Sequence, residues 1–320
     1  MPANTVEAAE RVSRSLKPHA ALVAVQLFFG TWPIVGKIAL RTLPSTGLVA
    51  LRVIGATIAF VALRLIATGN MRLARRSDYA RLALYSLLGV VLNQFLYVKG
   101  LALSTVINAT LLSTTIPIAT LLVSMLLGRE RPAPRVILGM TVAACGVVFL
   151  VNPARADFSH GTMIGNLLLV LNTLAYGAYI AISQDVIRRY GALTVITWVF
   201  IFGCVATLPV GGYYLAQTPL TAINAHVWLA VLYIILVPTV GAYYLNAWAL
   251  GRVTPSTVAI YIYLQPLIAF ALAPLVLGER LNARTGSAAL LIFAGVALVT
   301  LGARSRTVEE VSERPEALGH

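Results

Sequence analysis

An all-α polytopic membrane protein, ten transmembrane helices arranged as two inverted five-helix repeats, is the fold class that three features of the sequence predict. The first is composition: 59% of the 320 residues are hydrophobic and only 11% are charged, against about a quarter charged in soluble domains. The second is length: apolar runs of about twenty residues, enough to cross the hydrocarbon core of a bilayer, follow one another along nearly the whole chain. The third is internal repetition. The run 111–131 is apolar with a central proline and a closing acid–base pair, and 260–280 is a second version of it. Pro117 and Pro266, Glu130 and Glu279, Arg131 and Arg280, and Gly146 and Gly295 are each 149 residues apart. Upstream the offset is 147, pairing Gly30 with Gly177, Tyr97 with Tyr244 and Ala102-Leu103 with Ala249-Leu250. The two-residue change falls near Ser104 and Gly251, where a connection between helices is expected.

Taken in order, the apolar runs place spans at 20–41, 46–68, 80–101, 105–127, 133–151, 162–183, 193–215, 227–249, 257–277 and 283–302. Short gaps between most of them make consecutive helices antiparallel neighbours. This divides the chain into a polar N-terminal segment (1–18), a first repeat (19–152), a second repeat (160–303) and a polar tail (304–320) expected to be disordered. The first eighteen residues contain no apolar core of a cleavable signal peptide. A net charge of +13 is spread between apolar segments rather than gathered on one face, so a nucleic-acid partner is not expected. Both cysteines, Cys145 and Cys204, fall in apolar segments and are expected to be buried thiols without a disulfide.

Orientation follows from the 24 basic residues. With both termini in the cytoplasm, Arg41, Arg155, Arg280 and Arg284 lie outside, Lys37, Arg52, Arg64 and Lys99 lie within spans, and the remaining 16 lie inside. The positive-inside rule favours this arrangement. Five helices per repeat is an odd number, so the second repeat enters the membrane inverted. Glu130-Arg131 and Glu279-Arg280 then occupy opposite faces, as a machine with one gate on each side requires.

The pattern Ala-Leu, an apolar run with central proline, Leu-Gly-(x)-Glu-Arg and a Gly-rich helix occurs twice. It is carried by Ala102-Leu103, Pro117, Gly128-Arg129-Glu130-Arg131, Gly139 and Gly146, and by Ala249-Leu250, Pro266, Leu277-Gly278-Glu279-Arg280 and Gly295. This resembles the drug/metabolite transporter superfamily, in particular its bacterial EamA-type exporters. The first copy departs by the extra Arg129. The resemblance implies a ten-helix fold and transport of small metabolites, often amino acids or their derivatives.

Within the spans no acid or histidine falls at mid-membrane, where ion-driven carriers keep one. There is no His-Glu-x-x-His, no pair of membrane aspartates and no Gly-x-Ser-x-Gly, so neither enzyme, cofactor nor metal site is expected. The partners expected are a small-molecule substrate and the lipid bilayer, with monomer and homodimer both open. A lipid or isoprenoid-carrier translocase is the alternative function, and it requires long apolar side grooves.

The cavity candidates are the polar and aromatic residues inside spans: Gln26 and Trp32 in the first, Arg52 in the second, Asn93, Gln94 and Tyr97 in the third, Thr114 in the fourth, Asn172, Tyr176 and Tyr179 in the sixth, Tyr243 and Asn246 in the eighth and Gln265 in the ninth. Together they describe an uncharged, amide- and aromatic-lined cavity. Arg52 has two readings: snorkelling to the outer headgroups, or facing the bundle to bind a carboxylate or phosphate bidentately. Lys37, Arg64 and Lys99 are expected to snorkel. Pro33, Pro117, Pro238 and Pro266 are expected to interrupt helices, with Pro117 and Pro266 as gating bends. Glu130, Arg131, Glu279 and Arg280 are gate candidates, or pairs that simply fix a helix end.

Overall fold

The computed structural model describes residues 3–68, 70–131, 133–151, 159–220, 223–268 and 286–299, which are helical with short connections and contain no strand. The helices are α1 (Ala3–Leu40), α2 (Ser45–Thr68), α3 (Ser77–Leu103), α4 in two pieces (Val106–Ser113 and Ile116–Leu126), α5 (Pro134–Val151), α6 (His160–Tyr190), α7 (Ala192–Ala216) and α8 (Ala225–Leu250). They are followed by α9, opening with Pro255–Ile260 and a 3-10 turn at Tyr261–Tyr263, and by α10 (Gly286–Val299). Among the described residues seven helices are long and apolar enough to cross a membrane, and Pro134–Phe149 and Gly286–Val299 are shorter apolar helices. Large apolar side chains stand on the outside, Ile66, Leu126 and Leu290 being 84%, 85% and 74% exposed. Lipid rather than water solvates such a surface at low cost.

Matched positions of the two halves fold alike. Thr105 caps α4 by accepting from the Asn108 N–H, and Thr254, 149 residues later, caps α9 by accepting from the Thr257 N–H. A wide π turn interrupts α3 at Leu87–Leu92, and another, two residues past the matched position, interrupts α8 at Leu236–Gly241. At the ends of α3 and α8, Lys37 Nζ donates to Leu101 O at 2.8 Å, and Gln184, its partner at offset 147, donates to Leu250 O at 2.8 Å and Val253 O at 2.6 Å. Lys37 therefore ties α1 to the last carbonyls of α3 instead of snorkelling.

Contacts across the halves are matched as well. On α1, a Cβ at Gly30 would stand 2.8 Å from Ile268, with Gln265 O beside it. On α6, a Cβ at Gly177 would meet Ala119 at 2.9 Å, with Ile116 O beside it. Ile268 and Gln265 are the 149-residue counterparts of Ala119 and Ile116. Helices α5 and α10 cross through small residues: Gly139 faces Gly295, Gly146 faces Ala288 and Ile292, and backbone lies within 3 Å of the missing Cβ of Gly139 and Gly295. Gly139 and Ala288 are counterparts, as are Gly146 and Gly295. The crossing thus brings each residue against the other's copy, the contact pattern of a two-fold axis.

The prolines behave differently from one another. Helix α1 runs unbroken through Pro33. Helix α4 is interrupted at Thr114-Thr115, and Pro117 lies in the first turn of the piece that follows, where its missing N–H needs no partner. The interruption expected at Pro117 itself is thereby corrected. The Thr114 and Thr115 hydroxyls donate to Leu111 O and Leu112 O, each at 2.7 Å, repairing the backbone at the break. Pro238 lies inside the α8 π turn, Pro266 is buried just after the 3-10 turn of α9, and Pro209 lies inside α7. Both cysteines are unpaired, and Cys145 is exposed on α5 rather than buried.

Candidate functional site

The two π turns build a polar centre. Pro238 has no N–H to give to Ile234 O, and the neighbouring Thr239 hydroxyl donates to that carbonyl at 2.7 Å. Its one proton spent, Thr239 Oγ1 acts as acceptor for Arg52 Nε and Nη2, both at 3.1 Å. Arg52 is 3% exposed, and its guanidinium carbon lies 4.0 Å from the centre of the Trp32 ring. It faces the bundle, which removes the snorkelling alternative. In the other π turn, Gly89 lets the Tyr179 ring approach within 2.6 Å of where a Cβ would stand. Gly89 O and Asn93 Oδ1 share the Tyr243 hydroxyl proton at 3.2 and 3.0 Å, and Gln94 Nε2 donates to the same hydroxyl at 3.3 Å. Asn172 Nδ2 donates to Asn93 O at 2.8 Å.

These groups surround a cavity of about 60 Å³ lined by Phe29, Trp32, Arg52, Asn93, Gln94, Tyr97, Ser113, Ile116, Asn172, Tyr176, Tyr243 and Gln265. Nine of the thirteen cavity candidates are thus brought together from α1, α2, α3, α6, α8 and α9. Thr114 lines an adjoining void of about 20 Å³ with Thr110, Ser113 and Pro266. The other three stand behind the wall. Gln26 Oε1 accepts from Gln265 at 2.8 Å, Asn246 Nδ2 donates to the Tyr176 hydroxyl at 3.4 Å, and Tyr179 stacks on Tyr176 with ring centres 5.9 Å apart. Among the described residues, no aspartate or glutamate lines the cavity. At about 30 Å³ per water, it has room for about two waters, less than a metabolite fills.

Sequence reasoning missed Phe29 and Thr239. The signal for Thr239 was available: a threonine next to a proline inside a span is placed to bond the carbonyl that the proline leaves unpaired.

At one end of the bundle, Gly128 (φ +64°) closes α4, a left-handed conformation that suits glycine. The extra Arg129 then reaches α6, donating to Ala181 O and Ile182 O at 3.0 and 3.1 Å and pairing with Asp185 at 3.4 Å. Asp185 also meets Arg81 at 3.6 Å, and the buried Asp78 accepts from Arg189 at 2.9 Å and from the Tyr190 hydroxyl at 2.8 Å. Glu130 accepts from the Ser256 N–H at 3.3 Å and from its hydroxyl, joining the end of α4 to the start of α9. The expected arginine pairing of Glu130 is corrected: its carboxylate holds a helix start, and Arg129 rather than Arg131 makes the ion pair. Glu279 and Arg280 lie outside the described residues.

Helices with a lipid-facing apolar surface around a polar centre define a polytopic membrane protein with a polar internal cavity. Comparison with known proteins gives the class its family: the model of the EamA-like transporter family matches residues 17–152 and again 163–301, and the chain belongs to that family. It is similar to an uncharacterized transporter of Archaeoglobus fulgidus, 26% identical over 70% of this chain and 77% of that one. It is also similar to the transporter YetK of Bacillus subtilis, 24% identical over 84% and 82%, and to the inner membrane transporter YicL of Salmonella typhimurium, 24% identical over 73% and 77%. A solved crystal structure shares the fold with a TM-score of 0.73 at 20% identity, covering 92% of this chain and 99% of its own.

Proposed function

We propose that the protein is an alternating-access carrier of small organic metabolites in a bacterial inner membrane, exporting amino acids or related compounds. In this reading it has ten membrane helices in two inverted repeats, 19–152 and 160–303, with both termini in the cytoplasm. The observation that carries the reading is the reciprocal packing of matched elements around the polar cavity. Helix α1 lies on α9 as α6 lies on α4, and where α5 crosses α10 Gly139 faces the copy of Gly146 and Gly146 the copy of Gly139. Two halves related by a two-fold axis in the membrane plane present the same surfaces to opposite sides, and rocking them about the cavity exposes it to each side in turn. Glu130, with Ser256, closes the cytoplasmic side in this arrangement, and Thr114-Thr115 and the turn before Pro266 are the bending points.

The test has two parts, both in a background with Cys145 and Cys204 replaced by serine. A cysteine beside Arg131 is labelled by an impermeant maleimide only from the cytoplasm, and one beside Arg280 only from outside. Labelling of both from one side ends the inverted-repeat reading. Counterflow in proteoliposomes with labelled amino acids and their derivatives then tests transport directly.

One observation favours a lipid or isoprenoid-carrier translocase as second reading. An apolar groove of about 720 Å³, lined by Ile118, Leu122, Met140, Cys145, Phe149 and their neighbours, runs between α4 and α5. Lipid scrambling in proteoliposomes of a protein that keeps Cys145 and has only Cys204 replaced by serine, blocked by a bulky label on Cys145, would support it.

A further inference from the structure

We infer, on the carrier reading above and narrowing its substrates from free amino acids to related compounds, that the cavity selects organic monocarboxylates whose amino group is blocked or absent, with Arg52 as the group that binds the carboxylate. A guanidinium has two edges, each of which donates two parallel hydrogen bonds. Thr239 Oγ1 occupies the side edge, Nε with Nη2. The end edge, Nη1 with the second hydrogen of Nη2, makes no hydrogen bond to a described residue, and Arg52 lines the cavity. Trp32 covers one face of the plane at 4.0 Å, so Arg52 is held on its side edge and one face while its end edge remains open.

Charge decides what fills that edge. A buried cation without a counter-charge is costly, and no described carboxylate pairs with Arg52; those that form ion pairs, Asp78 and Asp185, are tied to Arg81, Arg129 and Arg189. The partner the site lacks is an anion of one unit. A phosphate monoester carries about −1.5 to −2 at neutral pH and would leave excess charge unmatched in the same apolar surroundings. Among the described residues, the lining also offers no acid for an ammonium group. Its other polar groups are amides, phenols, the Trp32 indole and the Ser113 hydroxyl, of which Asn93, Gln94 and Tyr243 already bond one another, Gln265 bonds Gln26 and Ser113 donates to Ala109 O. A zwitterionic amino acid would bring a cation with no counterpart. Phe29, Tyr97 and Tyr176 supply flat apolar surface for the body of the ligand.

The experiment uses the full chain in nanodiscs and four probes of similar body: N-acetylphenylalanine, its neutral amide, phenylalanine and phenyl phosphate. Binding is read from the thermal shift each produces and from the emission of Trp32, with the other tryptophans replaced. N-acetylphenylalanine is expected to bind roughly ten- to a hundredfold more tightly than the amide, the range that charge-assisted hydrogen bonds produce, and similarly more tightly than phenylalanine. Arg52→Gln should erase the preference, and Arg52→Lys, which loses the fork, should reduce it by about tenfold or more. The wild-type comparison stands whether or not the variants fold. Equal affinity for acid and amide, or no binding of any probe, overturns the inference, and tighter binding of phenyl phosphate replaces the carboxylate with a phosphate ligand. Counterflow separates the two readings. Anion-selective binding without flux refutes the carrier and keeps the site, whereas flux of the neutral amide undiminished by Arg52→Gln refutes the site and keeps the carrier.

Discussion

Thr239→Val removes one oxygen and leaves the shape of the side chain intact, so its consequence can be worked from the hydrogen bonds alone. Ile234 O loses the hydroxyl that donates to it, and Pro238 has no N–H to replace it; losing a buried hydrogen bond costs roughly 0.5–1.5 kcal/mol. The Arg52 guanidinium loses the acceptor of two of its N–H groups, a bond to a charged group worth roughly 1.5–3 kcal/mol. Side-chain hydrogen bonds measured in membrane proteins are weaker, about 0.6 kcal/mol on average and about 1.7 at most, and the cavity has room for a water to reach Arg52. The expected loss is therefore about 2 kcal/mol. At roughly 2–4 °C per kcal/mol, the melting midpoint falls by about 4–8 °C, read by fluorescence-detected size exclusion after heating. Thr239→Ser keeps the hydroxyl and should melt near the wild type. The double variant Pro238→Ala/Thr239→Val restores a backbone N–H for Ile234 O but nothing for Arg52, so about half of the loss should return. A valine variant as stable as the wild type, or no recovery on adding Pro238→Ala, would refute the assigned roles of Pro238 and Thr239.

Gly295→Ala places a methyl 2.5 Å from Gly139 O and 2.6 Å from Ala143 N, where backbone cannot yield, and should cost at least about 1–3 kcal/mol. Gly128→Ala meets nothing within 4 Å and should cost only the left-handed backbone, about 1–2 kcal/mol; equal melting points for the two variants would contradict this contrast. If Glu130 and Ser256 act as one unit, Glu130→Ala and Ser256→Ala should change maleimide accessibility from the cytoplasm by the same amount singly and together. Additive effects in that cycle would show that they act separately. With no described acid lining the cavity, transport should be facilitated diffusion. An imposed pH gradient should drive no accumulation in proteoliposomes, and accumulation that collapses with a protonophore would reveal a coupling group.

Membrane residence and the doubled organisation were legible in the sequence because they are written in one dimension. Apolar runs have a length set by the bilayer, and matched prolines, glycines and acids keep a constant offset. Polar residues inside those runs could be named as cavity candidates for the same reason, since lipid does not tolerate them facing outward. Their division into wall and backing could not be read, because Tyr176 and Tyr179 share one stripe of α6 and only packing against α3 and α8 puts one in the cavity and the other behind it. Arg52 was undecided for a related reason. Helical register places its Cα at a depth, but the choice between lipid headgroups and the bundle depends on Thr239, which is 187 residues away and aimed by a π turn that apolar periodicity does not predict. Glu130 belongs to the same class. Its neighbours in sequence are arginines, yet its carboxylate meets the start of a helix from the other half. The sequence by itself determined what lies in the membrane and how often the pattern recurs; tertiary packing alone decided which polar groups meet, because those partners come from helices far apart in the chain.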